Sequence, residues 1–138
     1  MIVVDTNIIS YFHLSSEYSD LAEQLFVTNS VWAAPILWRS EFRNVLSFYI
    51  RKKIITLSDA IKIFESAETI LHNQEYEVNS MQVLKLAEQS GCSAYDCEFV
   101  NLAQDLNVPL VTMDKKVLNK FNETAITIEN YVKNRTNE

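Results

Sequence analysis

Four acidic residues of this chain stand at positions where a soluble protein should carry apolar side chains: Asp5, Glu41, Asp96 and Asp114. An ionised carboxylate is almost never buried without a partner, because removing it from water costs more free energy than packing returns. No basic residues stand at matching positions in the sequence. The pattern therefore predicts that a bound cation is the partner, and it indicates a functional site.

The chemistry open to such a group of carboxylates depends on the ion that they bind. Oxygen-only ligands prefer hard, octahedral ions, so Mg²⁺ or Mn²⁺ is expected rather than zinc. Such an ion can activate a water molecule and stabilise the charge that develops on a leaving oxygen. The prediction is phosphodiester hydrolysis without a covalent enzyme intermediate. No Ser–His or Cys–His pair competes, because His13 and His72 lie outside the segments that carry the acids.

The elements that must position these acids are predicted from hydrophobic periodicity. Short apolar runs predict buried strands over Ile2–Val4, 31–34, 76–78, 110–112 and, more weakly, 125–128. Apolar residues at helical spacing predict helices over Leu37–Arg51, from a capping box at Thr56 to Leu71, over Ser80–Ser90, and from a cap at Ser93 to Leu106. Strands that alternate with helices predict an α/β fold with a mainly parallel sheet.

This framework gives each acid a position. Asp5 and Asp114 directly follow predicted strands, at the carboxyl ends where ligands bind in parallel sheets. Glu41 and Asp96 share helix faces with apolar residues, so both are expected to point toward the body of the protein. The four carboxylates are therefore expected to converge on one pocket.

The same residues carry a resemblance to a known family, the PIN-domain ribonucleases, and in particular to the single-domain toxins of VapC type from bacterial and archaeal toxin–antitoxin pairs. The similarity extends from Met1 to about Ile128. Four motifs carry it, in this order: Val3-Val4-Asp5-Thr6-Asn7, Trp38-Arg39-Ser40-Glu41-Phe42, Ser93-Ala94-Tyr95-Asp96-Cys97 and Pro109-Leu110-Val111-Thr112-Met113-Asp114-Lys115.

The resemblance implies roles for six residues. The catalytic, metal-binding residues would be Asp5, Glu41, Asp96 and Asp114. Asn7 and Thr112 would support them by hydrogen bonding to a carboxylate, to water on the metal or to the substrate phosphate. Some members of the family carry a further acid shortly after the last aspartate, whereas Lys115 and Lys116 follow it here.

The resemblance also implies the architecture and the partners. We expect a single PIN-like nuclease domain over residues 1–138, with a central parallel sheet of about five strands flanked by helices and with about 129–138 forming a C-terminal helix or tail. The substrate would be RNA, and the protein would be a homodimer neutralised by an antitoxin protein that lays a peptide into the site.

Composition limits the function in other ways. The chain has 138 residues, 48% of them hydrophobic, which fits one globular domain. Its net charge of −6 argues against a general basic surface for nucleic acid and predicts weak RNA affinity without metal. A single glycine excludes phosphate-binding glycine loops. With no membrane-spanning run and no secretory signal at the start, a cytoplasmic protein is expected.

Simpler interpretations remain open for each of these residues. Asp5, Asp96 and Asp114 could be helix caps or capping partners, and Glu41 could belong to a structural ion pair. The basic run Arg51-Lys52-Lys53 could contact a phosphate backbone, or it could simply complement the dipole at the end of a helix.

Three other functions also remain open. The chain could be a PIN-type nuclease that processes RNA and is not a toxin, or a PIN-like module that binds RNA or protein without catalysis. It could also be a phosphohydrolase with an aspartate nucleophile, although Asn7 stands where the D-x-D motif of such enzymes needs its second aspartate.

Overall fold

Five short parallel strands form the centre of the molecule, in the spatial order β3-β2-β1-β4-β5. The computed structural model describes residues 1–136. The strands are β1 (Ile2–Val4), β2 (Trp32–Pro35), β3 (Glu75–Tyr76), β4 (Leu110–Val111) and β5 (Ala125–Ile126). The central strand β1 is wholly buried because both faces of the sheet are covered, which explains its unbroken apolar sequence.

Eight helices in the described residues connect and cover these strands. They are α1 (Thr6–His13), α2 (Ser19–Thr28), α3 (Leu37–Arg51), α4 (Leu57–Ile70), α5 (Ser80–Ser90), α6 (Ala94–Leu106), α7 (Lys115–Lys120) and α8 (Ile128–Thr136). The predicted fold class, a single α/β domain with a five-stranded parallel sheet flanked by helices, is confirmed.

The register of the sheet brings two chain segments together at one edge. Val4 of β1 pairs with Val111 of β4, so the residues that follow these two strands leave the sheet side by side. Asp5 follows one strand, and Thr112 and Asp114 follow the other. Both aspartates therefore lie at the carboxyl edge of the sheet, where ligands bind in parallel sheets.

Local signals in the sequence define several helix ends. The Thr56 and Asp59 side chains form the predicted capping box at the start of α4. Gly91, with φ of 73°, ends α5 in the left-handed conformation, which costs glycine little because it has no Cβ. The Ser93 hydroxyl accepts a hydrogen bond from the Asp96 amide and begins α6.

Some predicted boundaries were wrong. The strand predicted over 125–128 ends at Ile126, because the Thr127 hydroxyl accepts a hydrogen bond from the Asn130 amide and starts α8. Helices α1 and α2 were not predicted at all. Of the predicted C-terminal helix or tail, the part up to Thr136 is helical, and residues 137–138 lie outside the described residues.

No helix among residues 1–136 combines the length and the apolar character that crossing a membrane requires.

Candidate active site

The four acids predicted from the sequence line a single small pocket of about 70 Å³ at the carboxyl edge of the sheet. Asp5 comes from the end of β1, Glu41 from α3, Asp96 from the first turn of α6, and Asp114 from the segment after β4. Thr6, Asn7 and Phe99 complete the lining. Residues up to 109 positions apart in the sequence therefore meet here because of the sheet order.

Asp5 and Asp114 are held by one shared threonine. The Thr112 hydroxyl, which is 1% exposed, donates a hydrogen bond to Oδ2 of Asp5 and accepts one of 3.0 Å from the Asp114 amide. The Asp5 Oδ1 also accepts from the Ile8 amide at 3.1 Å, and the Asp114 Oδ1 accepts from the Val117 amide at 2.9 Å. Both aspartates therefore cap helices, α1 and α7, and face the pocket as well.

Glu41 and Asp96 reach the pocket from two helices. The Thr6 hydroxyl donates a hydrogen bond of 2.7 Å to Oε1 of Glu41, which ties α1 to α3 at the pocket wall. The backbone of Asp96 is fixed by the bond of 3.0 Å from its amide to the Ser93 hydroxyl. Its side chain therefore projects from a helix start whose geometry is set locally.

Burial, together with neighbouring negative charge, raises the pKa values of three pocket carboxylates, those of Asp5, Glu41 and Asp96. Burial, offset in part by the Thr112 and Ile8 hydrogen bonds and reinforced by the charges of Asp114 and Asp96, raises the pKa of Asp5 from 3.8 to about 6. Burial and the charge of Asp96 also raise the pKa of Glu41. Carboxylates that are partly buried and repel one another form a site that a cation would stabilise.

Comparison with known proteins identifies the fold family. A family model described as PIN domain matches residues 2–125. The chain belongs to the PIN domain family. PIN domains are generally nucleases and typically use divalent metals. No curated protein matches the sequence at a significant level.

Solved structures agree with this PIN assignment. PAE2754 from Pyrobaculum aerophilum superposes with a TM-score of 0.77 at 20% identity, covering 99% of this chain and 97% of that one. FitAcB from Neisseria gonorrhoeae superposes with a TM-score of 0.71 at 13% identity, covering 94% of this chain and 99% of the other. At these identities the likeness concerns the fold.

The pocket residues suit the divalent metals that PIN domains use, although the metal-binding set remains a prediction. The donors are carboxylate oxygens with a neighbouring hydroxyl and amide, as hard cations prefer. Within residues 1–136, the side chains of Asp, Glu, His and Cys form no cluster of three or more that is close enough to hold one metal ion.

The simpler interpretations of the acids now have answers. Asp5 and Asp114 do cap helices. Glu41 takes part in no ion pair found among the described residues. The nearby Arg39 instead binds Glu68 and Glu75, on the other side of α3. A capping hydrogen bond uses one lone pair of a carboxylate oxygen and leaves other lone pairs for a metal ion, so capping and metal binding are compatible for the two aspartates.

The supporting residues predicted from the sequence divide into two groups. Asn7 and Thr112 lie at the PIN pocket, Asn7 exposed in its lining and Thr112 buried beneath it. The basic run at Arg51 lies away from it, because ten residues of α3, about 15 Å along the axis, separate Arg51 from Glu41. The Arg51 side chain instead donates to the Ser47 hydroxyl.

Sequence reasoning missed further residues at the PIN pocket. Thr6 binds Glu41, and its position directly after Asp5 was the available signal. Burial and then the charge of Glu41 raise the pKa of Glu98, which marks another acid near the site. The Lys116 charge acts on Asp96 in the opposite direction, although burial and Asp114 leave the pKa of Asp96 raised.

Proposed function

We propose that this PIN domain is a Mg²⁺- or Mn²⁺-dependent endoribonuclease that hydrolyses RNA phosphodiester bonds. The observation that carries the proposal is the pocket itself, in which carboxylates from four separate elements meet. Their number, their partial burial and the raised pKa of Asp5 would be costly in a structural role. A module that only bound RNA or protein would not need four carboxylates in one pocket.

The chain's own residues prepare the pocket for hydrolysis. Thr112 fixes the spacing of Asp5 and Asp114, and Thr6 fixes the orientation of Glu41. When bound, a divalent ion supplies activation of water and neutralisation of charge on the phosphate. Asn7, which is exposed in the lining, would donate its amide N–H to a phosphate oxygen.

We further propose that the protein is the toxin of a VapC-type toxin–antitoxin pair, acting in the cytoplasm and neutralised by an antitoxin protein. An apolar groove of about 360 Å³ between α3 and α4, which includes Leu46, Ile50 and Phe64 in its lining, supports a protein partner or a homodimer contact on this face. The neighbouring side chains Ile54, Leu57 and Ile61 are more than half exposed. Exposed apolar surface of this kind is typical of protein interfaces.

The nuclease proposal is tested by RNA cleavage with the purified protein. We expect internal cleavage of RNA in Mg²⁺ or Mn²⁺, none in EDTA, and none with Asp96→Asn. Asp105→Asn is the matched control, because Asp105 is an exposed acid on the same helix. Full activity of a folded Asp96→Asn protein, or activity that survives EDTA, would contradict the proposed mechanism.

The toxin role is tested separately by induced expression in a bacterial host. We expect growth arrest with the wild-type chain, accompanied by new RNA 5′ ends, and normal growth with Asp96→Asn. Normal growth in spite of clear cleavage in vitro would favour the alternative, a PIN nuclease that processes RNA without acting as a toxin.

A further inference from the structure

Lys116 follows the pocket residue Asp114 by two positions in the chain. It is the second residue of α7, the short helix that Asp114 caps with its side chain. Its ammonium group reaches back to the turn between α5 and α6 and donates a hydrogen bond of 2.7 Å to the carbonyl oxygen of Gly91. Gly91 lies two residues before Ser93, the cap of the helix that carries Asp96. The Lys116 charge is thus fixed between the two helix starts that carry Asp96 and Asp114.

The position of this charge has an electrostatic effect on the pocket. Burial and the charge of Asp114 raise the pKa of Asp96, and the charge of Lys116 opposes them, which agrees with the position of the ammonium group near the start of α6. Lys115, the preceding residue, is also exposed, but it does not share the hydrogen bond to the Gly91 carbonyl. The two lysines therefore differ in position, although they have the same charge and lie on the same helix.

The ammonium group also keeps donors available for a substrate. A lysine has three N–H donors, and the Gly91 carbonyl uses one of them. The others are open to an anionic oxygen at the edge of the pocket that Asp96 and Asp114 line. In nucleases that use two ions, the second cation neutralises charge on the phosphate about 4 Å from the first. A fixed ammonium group supplies that charge and also repels a second divalent ion.

We propose that Lys116 supplies the second positive charge of this active site, so that the acid pocket binds one divalent ion while the Lys116 ammonium group binds a phosphate oxygen of the RNA. The inference rests on the proposed nuclease function. It predicts that Lys116 is a catalytic residue, and that it limits the number of ions that the four acids bind.

The binding part is tested with Mn²⁺ alone, by isothermal titration calorimetry on the full-length chain. We expect one Mn²⁺ per wild-type chain. Lys116→Gln should bind Mn²⁺ about tenfold more tightly or gain a second ion, because a neighbouring positive charge has been removed. Lys115→Gln, with the same change in net charge, should match the wild type. Two ions in the wild-type chain, or equal binding by the two variants, would overturn the inference.

The catalytic part is tested by RNA cleavage at saturating Mn²⁺. We expect kcat to fall at least about tenfold in Lys116→Gln, to recover within a few-fold in Lys116→Arg, and to stay unchanged in Lys115→Gln. Equal kcat for wild type and Lys116→Gln would overturn the role of Lys116 and leave the nuclease intact. A wild-type chain that neither cleaves RNA nor binds Mn²⁺ would instead overturn the proposed function as well.

Folding is controlled in the same series. Lys116 is exposed, so Lys116→Gln and a second variant, Lys116→Met, should keep the far-ultraviolet circular dichroism and thermal midpoint of the wild type. Lys116→Met keeps the apolar stem of the side chain and loses only the charge and its donors. If either variant folds and cleaves RNA at the wild-type rate, the inference is wrong.

Discussion

Arg39 and Glu41 are two charged residues of the same helix, α3, with opposite surroundings. Arg39 binds Glu75 through two nitrogens, at 2.6 and 2.8 Å, and binds Glu68 at 2.9 Å. Glu41, two residues further on, accepts one hydrogen bond from Thr6 and faces other acids. The Arg39 interaction lowers the pKa of Glu75, whereas burial and the charge of Asp96 raise the pKa of Glu41.

This difference shows that the fold pairs the carboxylates of Glu68 and Glu75 with a cation, Arg39, and does not do so for Glu41. The Arg39 cluster joins α3 to α4 and to the edge strand β3, with the Trp38 indole also donating to Glu75 at 2.8 Å. The acid pocket joins four elements. The hydrogen bonds there come from threonine hydroxyls and backbone amides, which carry no positive charge to offset the carboxylates. The first cluster stabilises the fold, and the second leaves negative charge that the proposed metal ion would neutralise.

The largest expected effect comes from removing one pocket charge. Asp5→Asn should lower the rate of RNA cleavage by about a thousandfold, because a metal ligand is lost. The thermal midpoint of the metal-free protein should stay the same or rise, since the raised pKa of Asp5 shows that its charge is unfavourable in the folded state. A large fall in thermal midpoint would mean that Asp5 is structural, which would break the contrast with Arg39.

Removing Arg39 should have the opposite outcome. Arg39→Ala leaves Glu68 and Glu75 without their partner and should lower the free energy of unfolding by about 2 kcal/mol, measured by urea denaturation. Cleavage by the remaining folded protein should be unaffected. Arg43→Ala is the control, because Arg43 contacts the Phe64 ring but forms no ion pair found in the described residues, and it should cost about 0.5 kcal/mol.

The pH dependence of stability should sharpen the same contrast. In the metal-free protein the pKa of Asp5 is about 6, above its ordinary value of 3.8, so the folded state holds more protons than the unfolded state between these values. The Asp5 contribution to stability is therefore complete below pH 4 and is lost as the pH rises through 6, by up to about 3 kcal/mol.

Urea denaturation at several pH values measures this loss. Asp5→Asn should remove that part of the slope between pH 4 and 6, and added Mn²⁺ should reduce it. Identical pH profiles for wild type and Asp5→Asn would show that Asp5 titrates normally in the folded chain.

The smallest expected effect concerns the threonine that joins the two aspartates. Thr112→Val keeps the shape of the side chain but removes the hydrogen bonds to Asp5 and Asp114. We expect cleavage to fall about tenfold, with the pH optimum moved upward because the Thr112 bond holds the pKa of Asp5 down. Thr112→Ser, which keeps the hydroxyl, should restore both. A Thr112→Val protein with wild-type rate and optimum would show that the bridge is dispensable.

The positions of the acids were predictable where a short-range rule applied. Strand ends located Asp5 and Asp114, and helical spacing located Glu41 and Asp96. The contacts that orient them were not predictable, because the Thr6 to Glu41 bond depends on how α1 packs against α3. The same holds for Lys116, whose bond to Gly91 crosses between segments that no local pattern relates.

The missed and misplaced elements have similar physical causes. Helices α1 and α2 lie in a stretch for which no helical pattern was identified, yet Asp5 caps the first of them. The strand predicted to run through Ile128 was cut short by Thr127, a β-prone residue that acts here as a helix cap. In both places one polar side chain decided the boundary, and apolar periodicity does not detect it.

The capping bonds of the pocket aspartates have a consequence for ion selectivity. Both oxygens of Asp5 and one oxygen of Asp114 already accept hydrogen bonds from the protein. An ion bound through both oxygens of either carboxylate would therefore compete with these hydrogen bonds for oxygen lone pairs at the start of α1 or α7. Calcium, which prefers six to eight ligands and often binds carboxylates in a bidentate manner, is disfavoured by such a site. Magnesium accepts single oxygens and keeps its water, so in the proposed metal site the caps that begin two helices would favour magnesium over calcium.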